Sequence, residues 1–198
     1  MRWDDLFDDL EGQLEQELGA EDVDMLVEEE RLRLGRLSLR DRLLAMTLPG
    51  DGITEHLRVG LVDGQVISVA VGSFGRDWLL GELVGTRRGS CLLPLGAIAG
   101  VMPTAEQLAR SIEAKVDPGA PLAISARLGL SVVLRDLSRR RAALELATVS
   151  GASLHGTIDR VGRDHLDVAE HEAGVPRRAS AVTRIRLLPL GQLVLVRF

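Results

Sequence analysis

The chain has 198 residues, 45% of them apolar and 27% charged, with a formal net charge of −5. That apolar share can fill a sizeable core, which excludes a fully disordered chain. The single cysteine, Cys91, excludes a disulfide framework.

The best candidate for a membrane span, Leu92 to Pro103, has 12 residues and two prolines, well short of the roughly 20 a bilayer requires. The N-terminus is acidic from Asp4 onward, unlike a secretory signal. A cytoplasmic protein without membrane attachment is expected. Charge is split along the chain: residues 1–30 hold 13 acids against one arginine, a net −12, which leaves +7 on residues 31–198. An acidic head on a basic body suggests a surface for nucleic acid or for an acidic partner.

Taken in chain order, the first element is an acidic helical arm over residues 1–37. Trp3, Leu6, Phe7, Leu10 and Leu14, continued by Leu18, form one stripe of a 3.6-residue period. The stripe is open to three readings: packing on its own body, docking into another protein's groove, or shielding the body's arginines in cis. A second helical stretch runs from about Asp22 to Arg33. A third runs from Ser38, a good N-cap, to Met46, with Asp41 where a capping box places its acid.

Five strands are expected next: Glu55–Leu61, Gln65–Phe74, Asp77–Leu83, Ser90–Leu93 and Ala97–Val101, with turns at Asp63-Gly64 and Gly75-Arg76. Glycine inside the second strand, at Gly72, marks a bend or bulge, and Gly156 lies inside its counterpart. Thr104 to Gln107 is a capping-box pattern opening a helix to about Ala114. Asp117 to Pro121 reads as a linker, and a further helix is expected from about Ile124 to Arg140.

The body repeats itself. Val62–Leu79 matches Val149–Leu166 at an offset of 87, including Gly64 with Gly151 and the pattern Gly-Arg-Asp-x-Leu at Gly75 and Gly162. Leu92-Leu93-Pro94-Leu95-Gly96 matches Leu187-Leu188-Pro189-Leu190-Gly191 at an offset of 95, as does Leu39-Arg40-Asp41 with Leu134-Arg135-Asp136. The eight-residue difference places an insertion in the second copy around Glu170 to Thr183. Matches in the same order indicate an internal duplication. The organisation expected is an arm over 1–37, a first module over 38–103, a helix and linker over 104–123, and a second module over 124–198.

Leu61-x-Asp63-Gly64, then Ser73-Phe74 with Leu79-Leu80, then Leu92-Leu93-Pro94-Leu95-x-Ala97-Ile98-x-x-Val101-x-Pro103 resembles the two-part signature of the Sm-like family, with the flavour of its Hfq-like bacterial RNA chaperones. The resemblance covers residues 38–103 and, more faintly, 124–198. It implies a mainly β fold with helices: two tandem five-stranded bent-sheet barrels, each preceded by a helix. It also implies single-stranded RNA as ligand, and assembly through edge strands, either as a homo-oligomer or as a pseudo-dimer within the chain. The chain departs from the family at Leu95-Gly96 and Leu190-Gly191, where the bacterial chaperones carry a Lys-His pair.

The function expected from this reading is non-catalytic nucleic-acid binding, RNA before DNA. The residues put forward are Arg76, Asp77, Arg163 and Asp164 in the turns, and Arg139, Arg140, Arg141, Arg177, Arg178, Arg184 and Arg186 as a basic face. Its rival is an interaction and oligomerisation scaffold that docks a protein partner through the N-terminal stripe. His165, Asp167 and His171 are the one metal-like group, and three ligands without a fourth make a poor site. No Walker loop or dinucleotide fingerprint is present and no carboxylate pair stands out in an apolar setting, so neither catalysis nor a cofactor is expected.

Overall fold

The computed structural model describes residues 25–47, 56–86, 88–113, 124–175 and 177–198. The apolar stripe from Trp3 to Leu18 and the linker at Asp117–Pro121 lie outside them. The chain divides into two compact units, residues 1–38 and 39–198. In the first, α1 is helical over residues 25–35, and Arg33 and Arg31 pair with Glu30 and Glu28 one turn back, at 2.6 and 3.5 Å.

The second unit opens with α2 (Leu39–Met46). Five strands follow: β1 (His56–Leu61), β2 (Val66–Phe74), β3 (Trp78–Val84), β4 (Gly89–Pro94) and β5 (Ile98–Val101). Then come α3 (Ala105–Glu113), α4 (Ile124–Arg127) and α5 (Leu130–Arg139), and five more strands: β6 (Leu144–Thr148), β7 (Ser153–Val161), β8 (His165–Glu170), β9 (Arg184–Pro189) and β10 (Leu193–Arg197). The capping box forms as the sequence predicts. The Gln107 N–H donates to Thr104 Oγ1 at 3.2 Å, and the Thr104 N–H donates to Gln107 Oε1 at 3.0 Å. Gly64 and Gly151 sit at φ +87° and +79°, the left-handed conformation their turns require.

The β-bulges also repeat. The β2–β3 register shifts at Gly72 and the β7–β8 register shifts at Asp159, which is Gly72's counterpart 87 residues on. The bulge of the second copy is therefore at Asp159, not at Gly156. The single helix expected over Ile124–Arg140 is two helices, α4 and α5, separated by Leu128-Gly129.

All ten strands form one open antiparallel sheet in the order β5-β1-β2-β3-β4-β10-β6-β7-β8-β9. This corrects the expectation drawn from the Sm-like resemblance: there are no two separately closed five-stranded barrels, and the Sm-like identity is not supported. The physical reason lies in β4 and β10. Cys91, Leu92 and Leu93 are consecutive and all fully buried, as are Val194, Leu195 and Val196 within about 1%. A strand apolar on both faces has to be covered on both faces. Here Cys91, Leu93, Val194 and Leu195 enter one core and Leu92, Leu193 and Val196 the other, while the strand edges pair with Val196 opposite Leu92 and Arg197 opposite Cys91.

The cores follow the same seam. One cluster joins Leu43, Leu57, Val59, Val69 and Leu79 of the first half to Ala147, Val194 and Leu195 of the second. The other joins Leu130, Leu134, Ile158 and Leu166 of the second half to Trp78 and Leu92 of the first. Each core is thus completed by residues from the other copy. Within each half the strand order is still the same, 5-1-2-3-4 and 10-6-7-8-9.

Candidate interaction site

The two Gly-Arg-Asp turns have the same local construction. The Gly75 N–H donates to the Trp78 carbonyl at 2.8 Å, and the Gly162 N–H to the His165 carbonyl at 2.9 Å. In both turns the ring three residues on lies over the glycine so closely that a Cβ there would overlap it. The Asp77 carbonyl accepts from the Leu95 N–H at 2.9 Å, and the Asp164 carbonyl from the Leu190 N–H at 2.8 Å.

Their surroundings differ. The first turn holds the start of α5. The Asp77 carboxylate accepts from the Leu130 N–H at 2.7 Å, an N-cap supplied from a distant part of the chain. The Leu128 carbonyl accepts from both the Arg76 N–H, at 3.0 Å, and the Trp78 indole N–H, at 2.9 Å. The Arg76 guanidinium packs where a Gly129 side chain would stand. In the second turn the Asp164 carboxylate pairs with its neighbour His165 at 2.8 Å, and that hydrogen bond holds its pKa below the usual value.

Other arginines put forward from the sequence are engaged in ion pairs. Arg177 grips Asp159 with two hydrogen bonds of 2.7 and 2.6 Å, Arg186 pairs with Glu170, and Arg140 pairs with Asp136 at 2.7 Å. Arg141 and Arg160 also bear on Asp159. The bulge thus brings part of the expected basic face together around one acid. Arg139, Arg141, Arg163, Arg178 and Arg184 are exposed. Arg76 and Asp77 belong to the α5 joint.

The hydrogen bond from Arg177, with its charge, holds the Asp159 carboxyl below the usual carboxylate range. A depressed folded-state pKa adds stability that is fully present above the unfolded value and is lost as pH falls through the folded one. The urea midpoint of the native chain is therefore expected to drop on acidification through and below the ordinary carboxylate range. Asp159→Asn should drop less over that interval, and identical pH profiles would rule the contribution out.

The sheet ends are the other notable surface. β9 closes one end of the strand order and β5 the other. Leu92 and Leu187 hold the same repeat position, yet Leu92 is 0% exposed and Leu187 is 67% exposed. Ile185, on the same strand, is 59% exposed. An edge strand with outward apolar side chains is a template for pairing. Sequence reasoning did not single out Ile185 and Leu187, although the signal was there: Leu187 repeats Leu92, and only Leu92 has a later strand to cover it.

Among the described residues no group of three or more potential metal ligands is assembled. His165 is turned to Asp164, and His171 is buried against the Thr157 hydroxyl at 2.9 Å. Burial, with the charge of Glu82, pushes the Cys91 thiol up to about 11, the opposite of what a nucleophile needs. A groove of about 540 Å³ beside the seam is lined by Arg88, Glu145, His155, His171 and Arg197 among others. There Arg197 donates to Glu145 at 2.9 Å, and Ser153 donates to the same carboxylate oxygen at 2.9 Å. No helix among the described residues is long and apolar enough to cross a membrane. Comparisons with protein families, curated proteins and solved structures find no match to this chain.

Proposed function

We propose that this protein is a non-catalytic, self-assembling scaffold in which β9 of one molecule pairs with β5 of the next. The observation that carries this reading is the contrast between Leu92 and Leu187. They share a repeat position, and the one flanked by a strand of the other half is fully buried while its counterpart is two-thirds exposed.

Moving the internal seam by 95 residues fixes the register. Leu92 opposite Val196 becomes Leu187 opposite Val101 of the second molecule, and Cys91 opposite Arg197 becomes Arg186 opposite Met102. The donor and acceptor edges are different surfaces, so the contact is heterologous and joins molecules head to tail. Burying Leu187 and Ile185 supplies the apolar driving force. Two further points favour a scaffold over a polynucleotide binder: Arg140, Arg177 and Arg186 spend their charge on neighbouring acids, and Arg76 and Asp77 serve α5.

Sedimentation equilibrium across the micromolar range tests the reading. The native protein is expected to associate with increasing concentration. Leu187→Lys, which puts a charge on the pairing edge, is expected to weaken association at least about tenfold, a loss of about 1.4 kcal/mol. Because Leu187 is exposed, its unfolding midpoint should stay near that of the native chain. A native protein that is monomeric throughout, or a variant that associates equally well, would overturn the reading.

A further inference from the structure

The seam inside the chain is more than two paired strands, because a helix shares in it. Leu92 of β4 lies in one core with Leu134 of α5 and with Leu193 and Val196 of β10. Leu92 comes from the first half of the chain, and the other three come from the second. Leu193 keeps 2% exposure and the other three keep none.

Each of these four residues has a counterpart 95 residues away: Leu187 for Leu92, Leu39 for Leu134, Ile98 for Leu193 and Val101 for Val196. None of the counterparts is fully covered. Leu39 is 46% exposed, Leu187 is more exposed still, and Ile98 and Val101 are half-buried. Within α2, Leu39, Leu43 and Met46 fall on one face by their spacing of four and three. Leu43 and Met46 are buried in the first-half core, and Ile98 and Val101 pack against that same core. So α2 and β5 border one core, and the apolar face of α2 is left uncovered at Leu39. All of these residues belong to the compact unit over residues 39–198.

We propose that Leu39, with Ile98 and Val101, forms an apolar socket in which a second copy of this chain seats Leu187, as Leu134, Leu193 and Val196 seat Leu92 within the chain. The proposal rests on the head-to-tail assembly argued above and gives α2 a part in it, which strand pairing alone does not require. The occupant is a second copy because the chain itself shows what this set of positions receives. In the buried instance the residue received is Leu92, from the neighbouring half. The counterpart of Leu92 is Leu187, which stands exposed on β9, while the open set borders β5, at the opposite end of the strand order. Burial of Leu39 and Leu187 against each other removes two large apolar side chains from water in one contact.

Sedimentation equilibrium of the full-length native, Leu39→Glu and Leu187→Lys proteins, and of the two variants mixed, tests it. Leu39 is exposed and opens α2, where an acidic residue is favoured, so Leu39→Glu is expected to keep the native unfolding midpoint. It should weaken self-association at least about tenfold, because a charge replaces a leucine that the contact buries. Mixed with Leu187→Lys, it should form one-to-one pairs that grow no further, since one intact Leu187 then meets one intact Leu39. If Leu39→Glu associates like the native protein while Leu187→Lys does not, the socket is overturned and edge pairing stands. If both variants are monomeric and stay so on mixing, the two residues do not meet and the socket is overturned. A fall in the Leu39→Glu midpoint, measured where the native protein is monomeric, shows Leu39 covered within its own chain and overturns the socket as well. A native protein that does not associate, or a Leu187→Lys variant that associates as well as the native one, overturns both readings.

Discussion

Leu92→Ala is expected to lower the unfolding free energy by about 2–5 kcal/mol, the range for deleting a fully buried leucine whose site cannot collapse. Leu92 is 0% exposed, lies on β4 and contributes to the core that otherwise belongs to the second half. The cavity opens at the seam, where β4 and β10 are held on both sides by other strands and cannot close over it. Each kcal/mol moves the thermal midpoint of a chain this size by about 2–4 °C, so the effect is plain in calorimetry. Leu187→Ala is the matched control at the same repeat position. Its side chain is exposed, and its effect at a concentration where the protein is monomeric should stay within about 0.5 kcal/mol. Equal losses at the two positions would contradict the burial contrast on which the assembly argument depends.

The second large effect concerns the halves themselves. Chains covering residues 25–113 and 124–198 are expected to fail to fold when produced separately and to recover a cooperative unfolding transition when produced together. Alone, the first half loses Ala147, Val194 and Leu195 from its core, and the second half loses Trp78 and Leu92. Each also presents a strand that is apolar on both faces, β4 or β10, as a bare edge, which promotes aggregation. Tryptophan fluorescence of Trp78 reports on the joint directly, because its ring is buried and its N–H is bound to the Leu128 carbonyl across it. A cooperative transition in either fragment alone would show that the halves are independent modules.

Much of the local structure was legible in the sequence, and the global arrangement was not. Alternation and turn glycines placed every strand of the first copy to within a residue or so, and the Thr104–Gln107 box formed as written. These signals are local, and the physics that produces them acts over a few residues. Barrel closure is decided elsewhere, by what covers β4 and β10. The uninterrupted runs Cys91-Leu92-Leu93 and Leu193-Val194-Leu195-Val196 already said that both strands are central.

The turn residues show the same division. Asp77 was put forward as a turn residue for nucleic acid, and its carboxylate caps Leu130, 53 residues away. Nothing in the spacing of a single Gly-Arg-Asp reveals that. Arg177 is bound to Asp159, and the charges of Arg141 and Arg160 also act on that carboxyl, whose position at a bulge the sequence did not show.

The β4–β10 seam has one more consequence, for stoichiometry. Because that seam lies within a single polypeptide, it does not dissociate on dilution, whereas the proposed β9–β5 seam would. In the proposed assembly each molecule would contribute two five-strand halves, and permanent seams would alternate with reversible ones. Dilution of such an assembly would open only the seams between molecules and would leave each pair of halves joined.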